Sequence, residues 1–152
     1  MAKFTPEQAA DWVAIQQLLN EWGAELDANN GRNIAELVTE DCHYTVRAIK
    51  REGRAAVKAF YAMRLQEFAD AGKEAPLQRH VQTNLRVAFK SADHAAIAFT
   101  LVYFTMAMVA GGADPADPTA VADVVMEAKR GGDGHWRISM FDSVQSLVRV
   151  AG

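Results

Sequence analysis

Asp27 and His80 are the two side chains whose type and setting point to chemistry. Asp27 follows directly on an apolar stripe of Trp12, Ile15, Leu19, Trp22 and Leu26, whose 3, 4, 3, 4 spacing is that of one helix face. A carboxylate at a helix C-terminus opposes the macrodipole and gains nothing for the helix. The position therefore suggests work beyond solvation, although a solvated helix end is the plain alternative. His80 lies in the run Gln78 to Phe89. Strand alternation there sets His80, Gln82, Asn84 and Arg86 on one face and Val81, Thr83, Leu85, Val87 and Phe89 on the other. If the apolar face looks inward, His80 is solvated unless a bulge or a strand end turns it in. A carboxylate that orients an imidazole is the simplest machinery for taking a proton from a substrate.

Other candidates are weaker. Tyr44 shares a face with Val46 and Ala48, so its ring reads as core with a phenol that seeks a partner and could aim it at a ligand. Asp142 has the parity of Trp136, Ile138 and Met140 and is a secondary carboxylate, whereas Asp123 shares parity with Glu127 and Lys129 and reads as solvated. His43, with the opposite parity to Tyr44, and His94 and His135, beside tight turns, receive no role. Cys42 reads as a buried small hydrophobe. No Gly-rich phosphate loop, Gly-x-Ser-x-Gly elbow, His-Glu-x-x-His or Cys-x-x-Cys occurs. No metal and no cofactor is expected.

The elements that must hold these residues are legible in outline. Thr5-Pro6-Glu7-Gln8 is a capping box with proline at the first helical position, and Asn29-Asn30-Gly31 closes the helix it opens. A short helix around Asn33 to Val38, a strand from Cys42 to Ile49 and a helix from Arg54 to Asp70 are predicted next. Gln78 to Phe89, His94 to Val109, Val121 to Lys129 and His135 to Val148 then read as four strands of an antiparallel meander. Ala95 to Ala113 carries no charge over nineteen residues, but its β-branched and aromatic content and the Gly111-Gly112 pair favour a buried strand over a membrane helix. Helices first and long strands afterwards predict an α+β fold in which amphipathic helices pack into one curved sheet. Such a concavity is a natural pocket for a small molecule.

Composition limits the function. The 152 residues suit one domain, 1–152; half are hydrophobic, and 16 Lys+Arg against 19 Asp+Glu leave a formal charge of −3. That balance excludes a disordered chain and argues against nucleic-acid partners. A single cysteine and a polar N-terminal segment predict a cytoplasmic protein with no membrane partner.

The run ending in Glu25-Leu26-Asp27, the segments Glu40-Asp41-Cys42-His43-Tyr44 and Arg54 to Tyr61, the strand Arg79-His80-Val81-Gln82-Thr83-Asn84 and the late Gly134-His135-Trp136-Arg137-Ile138 resemble the SnoaL-like branch of the nuclear transport factor 2-like superfamily. The resemblance covers nearly the whole chain and implies a cone-shaped half-barrel of the cystatin-like type, with a curved mixed or antiparallel sheet enclosing N-terminal helices. Within it, the likeness is to scytalone dehydratase and the hexachlorocyclohexane dehydrochlorinase, lyases built on an aspartate and histidine pair. Asp27 and His80 match that pair. Trp22 and Tyr44 resemble a tryptophan and a catalytic-site tyrosine of the dehydratase. Its second histidine appears here as Thr100, and the dehydrochlorinase's lysine as Trp22, so neither exact substrate is inherited.

The resemblance implies a cofactor-independent lyase, of dehydratase or dehydrohalogenase type, acting on a small apolar or aromatic-like substrate. His80 is then the base, with Tyr44, Asn84 and Thr100 as hydrogen-bond donors and Trp22 and Asp142 as further lining. Two alternatives stand beside it. One is a non-catalytic ligand-binding or assembly module like an oxygenase β subunit, a homodimer or homotrimer joined through a patch such as Val81, Leu85, Val87 and Phe89. The other is an isomerase or polyketide cyclase with Asp142 or Asp27 as a carboxylate base.

Overall fold

A computed structural model describes residues 4–106 and 117–148. Helix α1 (Pro6–Asn29) begins on the predicted capping box: the Gln8 N–H donates to Thr5 Oγ1 at 3.2 Å, and the Thr5 N–H to Gln8 Oε1 at 3.1 Å. Asn30, at φ 55°, ends it in the left-handed conformation. The predicted stripe is the buried face, with Ile15, Leu19, Trp22 and Leu26 nearly solvent-free and Trp12 half-buried.

A three-residue 3₁₀ turn, Ile34–Glu36, replaces the longer helix expected at 33–38, because Val38 already pairs with Ile138 as the first residue of a strand. Strand β1 (Val38–Val46) turns at Arg47 and Ala48, both at positive φ, into β2 (Ile49–Glu52). The expected single strand over 42–49 is thus a hairpin, whose tight turn lacks the glycine or asparagine that normally marks one. Helix α2 (Arg54–Asp70) follows as predicted.

The second half is the antiparallel meander, β3 (Leu77–Ser91), β4 (His94–Met106), β5 (Ala120–Arg130) and β6 (Trp136–Val148). The Val109 end of the expected second strand of this meander lies outside the described residues. One mixed sheet of order β2-β1-β6-β5-β4-β3 results, its only parallel pair being β1 with β6 among the described residues. The fold is α+β and cone-like, with α1 laid across the concave face. No helix is long and apolar enough to cross a membrane among the described residues.

Bulges in the sheet redirect side chains. In β3 the pairing with β4 slips between Thr83 and Arg86, and Asn84 sits there at φ 56°. Before the slip Gln78, His80 and Gln82 face the helix; after it Leu85, Val87 and Phe89 do. The expected patch of Val81, Leu85, Val87 and Phe89 is therefore not one face: Val81 is 48% exposed on the outside, and the other three pack against the core. In β6 a slip around Ser139 does the same, so Trp136, Ile138, Phe141 and Ser143 point inward and Asp142 outward.

Candidate functional site

The first half of β3 is a polar strip that docks α1. Gln82 Nε2 donates to the Leu19 carbonyl at 2.8 Å, and Gln78 Nε2 donates to the Leu26 carbonyl and, at 3.1 Å, to Asn30 Oδ1. The Leu26 carbonyl also accepts the Asn30 backbone N–H at 3.2 Å, so Gln78 uses its second lone pair. Gly23 permits this approach: a Cβ there would lie 2.9 Å from Gln82 Nε2.

Between those contacts sits the pair. His80 Nδ1 is 2.7 Å from Asp27 Oδ1, and the His80 backbone N–H reaches both carboxylate oxygens at 3.1 and 3.2 Å. The side chains are 10% and 17% exposed, respectively. A carboxylate in its ionised form can only accept, so a neutral imidazole bonded to it here would carry its hydrogen on Nδ1 and leave the lone pair on Nε2. Nε2 has no hydrogen-bond partner among the described residues. The ring is walled by Trp22, edge-on at 5.5 Å, and by Tyr103, its cross-strand neighbour, at 4.9 Å.

Trp22 connects the pair to a second polar group. Its indole N–H donates to the Tyr44 hydroxyl at 3.1 Å, and the Tyr44 and Tyr61 hydroxyls are 2.8 Å apart. Tyr44 stacks on Phe141 at 4.5 Å, and Trp22 contacts Phe99 and Phe141. Burial, the largest cause, raises the Tyr44 phenol well above its usual value and pushes Tyr61 up to about 12. Both are therefore hydrogen-bond donors at neutral pH and neither is a base. Burial likewise lifts Cys42 to about 12, leaving an inert thiol.

The structure thus brings Asp27, His80, Trp22 and Tyr44 together. Three other expected site residues lie elsewhere. Asn84 is exposed and spends its conformation on the bulge. Thr100 pairs with Thr83 and Asp123 on the outer sheet face, because its neighbours Phe99 and Leu101 take the inner one. Asp142 is exposed opposite Val125, itself 52% exposed, because the slip at Ser139 reversed its parity.

Tyr103, one of the aromatic residues expected to line the interior, does so beside His80, whereas Tyr61 and Gln78 join the site without having been anticipated. Tyr61 had a usable signal, one turn beyond the buried Val57 on α2. His43 pairs with Glu52 and His94 with Glu127 near the surface, away from the site. No group of three metal-ligating side chains occurs among the described residues. Open surface clefts of about 790, 710 and 520 Å³ are lined by neither Asp27 nor His80.

The cone-like α+β architecture is shared with an NTF2-like protein of cystatin-like fold. Residues 7–142 match the SnoaL-like domain, and the chain belongs to that family. Solved structures agree in fold. A scytalone dehydratase-like protein from Novosphingobium aromaticivorans is 18% identical, with 98% of this chain and 96% of that one aligned at a TM-score of 0.75. LinA is 22% identical over 96% of this chain and 93% of its own, with a TM-score of 0.74. A Catenulispora acidiphila protein in complex with S-DNPA is 19% identical over 90% and 94%, with a TM-score of 0.71. No curated protein matches the chain.

Proposed function

We propose that the protein is a cofactor-independent lyase in which His80, held by Asp27, removes a proton from carbon in a small, largely apolar substrate. The observation that carries this reading is the 2.7 Å contact between His80 Nδ1 and Asp27 Oδ1, both side chains mostly withdrawn from solvent. Nε2 takes the proton, the C–H electron pair becomes the new double bond, and a leaving group on the adjacent carbon departs with its bonding pair. The carboxylate stabilises the imidazolium so formed, and the protonated tyrosine pair supplies a hydrogen bond where negative charge develops.

Support for a carboxylate base is weaker. Asp27 spends its oxygens on His80, and Asp142 points outward. A pure binding or assembly role has no need of the aligned pair. The resemblances to a dehydratase-like protein and to LinA favour elimination, as halide or water loss.

The test is a panel of halogenated and hydroxylated ring compounds run in deuterium oxide, comparing the wild type with His80→Gln. Turnover, or hydrogen exchange at the acidic carbon, should fall by about 10²- to 10⁴-fold in a variant whose melting curve shows it folded. Turnover by folded His80→Gln near the wild-type rate would refute the proposal. No reaction by the wild type across the panel, with binding retained, would favour the carrier reading.

A further inference from the structure

Arg51 pairs directly with Tyr44 across β1 and β2, so the two side chains leave the same face of the hairpin. The Arg51 guanidinium carbon lies 3.4 Å from the centre of the Phe60 ring. Arg64, one turn along α2, has its own 5.8 Å from that ring and 5.9 Å from the ring of Tyr61. Arg51 Nη1 donates to the Ile49 carbonyl at 2.7 Å. Neither guanidinium has a carboxylate within ion-pair distance among the described residues, whereas Arg54, Arg130 and Arg137 each have one. Burial, and to a lesser degree the charge of Arg64, make the Arg51 cation less favourable than usual. Both arginines in turn act on the Tyr61 hydroxyl.

The hydroxyls add a second, independent observation. The Tyr44 oxygen accepts from Trp22, and one O–H joins Tyr44 to Tyr61, whichever donates. The other O–H has no acceptor among the described residues, although Tyr44 is 1% and Tyr61 4% exposed. A buried donor left over in this way marks the place of a water or a ligand acceptor.

We propose that Arg51, Arg64 and the surplus tyrosine hydroxyl form a binding site for the carboxylate of a small planar acid. A carboxylate offers the paired acceptor oxygens that a guanidinium fork matches, and it satisfies the phenol as well. Trp22 places this anchor one side chain from the imidazole, since it touches His80 on one side and Tyr44 on the other. Resting on the proposed base, the site narrows its substrate class to carboxylic acids with a hydroxyl or halide on the carbon next to the acidic C–H, whose elimination yields an unsaturated or aryl acid and whose developing charge flows onto the anchored carboxylate.

The test is a titration, by intrinsic tryptophan fluorescence and melting temperature, with benzoate, phenylacetate and cinnamate against their neutral amides. Wild type should prefer at least one acid over its amide by about tenfold or more, and the preference should disappear in Arg51→Gln, Arg64→Gln or both. Lysine variants, which keep the charge but lose the fork, serve where a glutamine variant does not fold. A wild type that does not distinguish acid from amide, or a preference that survives in both arginine variants, overturns the site. His80→Gln should keep the preference while losing turnover. Retained turnover there would remove the base and leave the anion site standing.

Discussion

Separating Asp27 from His80 should cost stability in an unequal and calculable way. His80→Gln removes the Nδ1 to Oδ1 contact but leaves the backbone N–H of residue 80 on the carboxylate. Asp27→Asn disturbs both, because whichever way the amide turns, its NH₂ faces a backbone N–H at 3.1 or 3.2 Å. A hydrogen bond to a charged group contributes about 1.5 to 3 kcal/mol. The histidine variant should therefore lose about 2 kcal/mol and the aspartate variant about 3. The double variant should recover the shared contact, giving a coupling of about 2 kcal/mol in a double-mutant cycle. In a domain of this size that corresponds to a melting-temperature change of roughly 4 to 8 °C, and urea unfolding of the four proteins measures it directly. Additivity to within about 0.3 kcal/mol, or a histidine variant less stable than the aspartate one, would refute the reasoning.

The surrounding packing yields further expectations. Gly23→Ala should leave stability within about 1 kcal/mol of the wild type, because alanine's helix preference of about 1 kcal/mol is offset by loss of the Gln82 bond to the Leu19 carbonyl, the new Cβ meeting Gln82 Nε2 at 2.9 Å. In a Gln82→Ala background the same change should stabilise in thermal melts. Tyr44→Phe strips the Trp22 indole N–H of its acceptor in a buried setting and should cost about 1 to 3 kcal/mol by urea unfolding. Asn84→Ala should destabilise by about 1 kcal/mol and Asn84→Gly by less, since the bulge needs φ of 56°. Tyr61 and Cys42 are each raised to about 12 on folding, so the unfolded chain loses these protons first. Stability from both groups is complete below about pH 8.5, falls as pH rises through 10 and is gone above about 12, as alkaline unfolding curves should show.

The two long helices were legible because their signals are local, whereas the short one expected at 33–38 was not. The Thr5 box, the Trp12 to Leu26 stripe and the Arg54 to Asp70 span need only neighbours in the chain. The sheet was less so. A strict two-residue period assigned His80 to the solvent side of an apolar strand, and one asparagine in the left-handed conformation reversed everything after it. The same slip at Ser139 carried Asp142 out of the interior. Bulges answer to sheet curvature, which is set by pairing between distant strands. Gln78 and Gln82, in the same polar strip as His80, looked solvated for a related reason: they donate to carbonyls of a helix more than fifty residues away, and backbone acceptors leave no trace in side-chain patterns. Arg51 and Arg64 escaped notice because charged residues on a short hairpin and a helix ordinarily face water.

The most direct test of the central claim is the protonation pattern of the His80 imidazole, read by long-range proton–nitrogen NMR at a pH where the ring is neutral. The hydrogen should reside on Nδ1, facing Asp27, with Nε2 carrying the lone pair that takes the substrate proton. A hydrogen on Nε2 would mean that the ring offers a donor where the reaction needs an acceptor, and the proposed base would not exist.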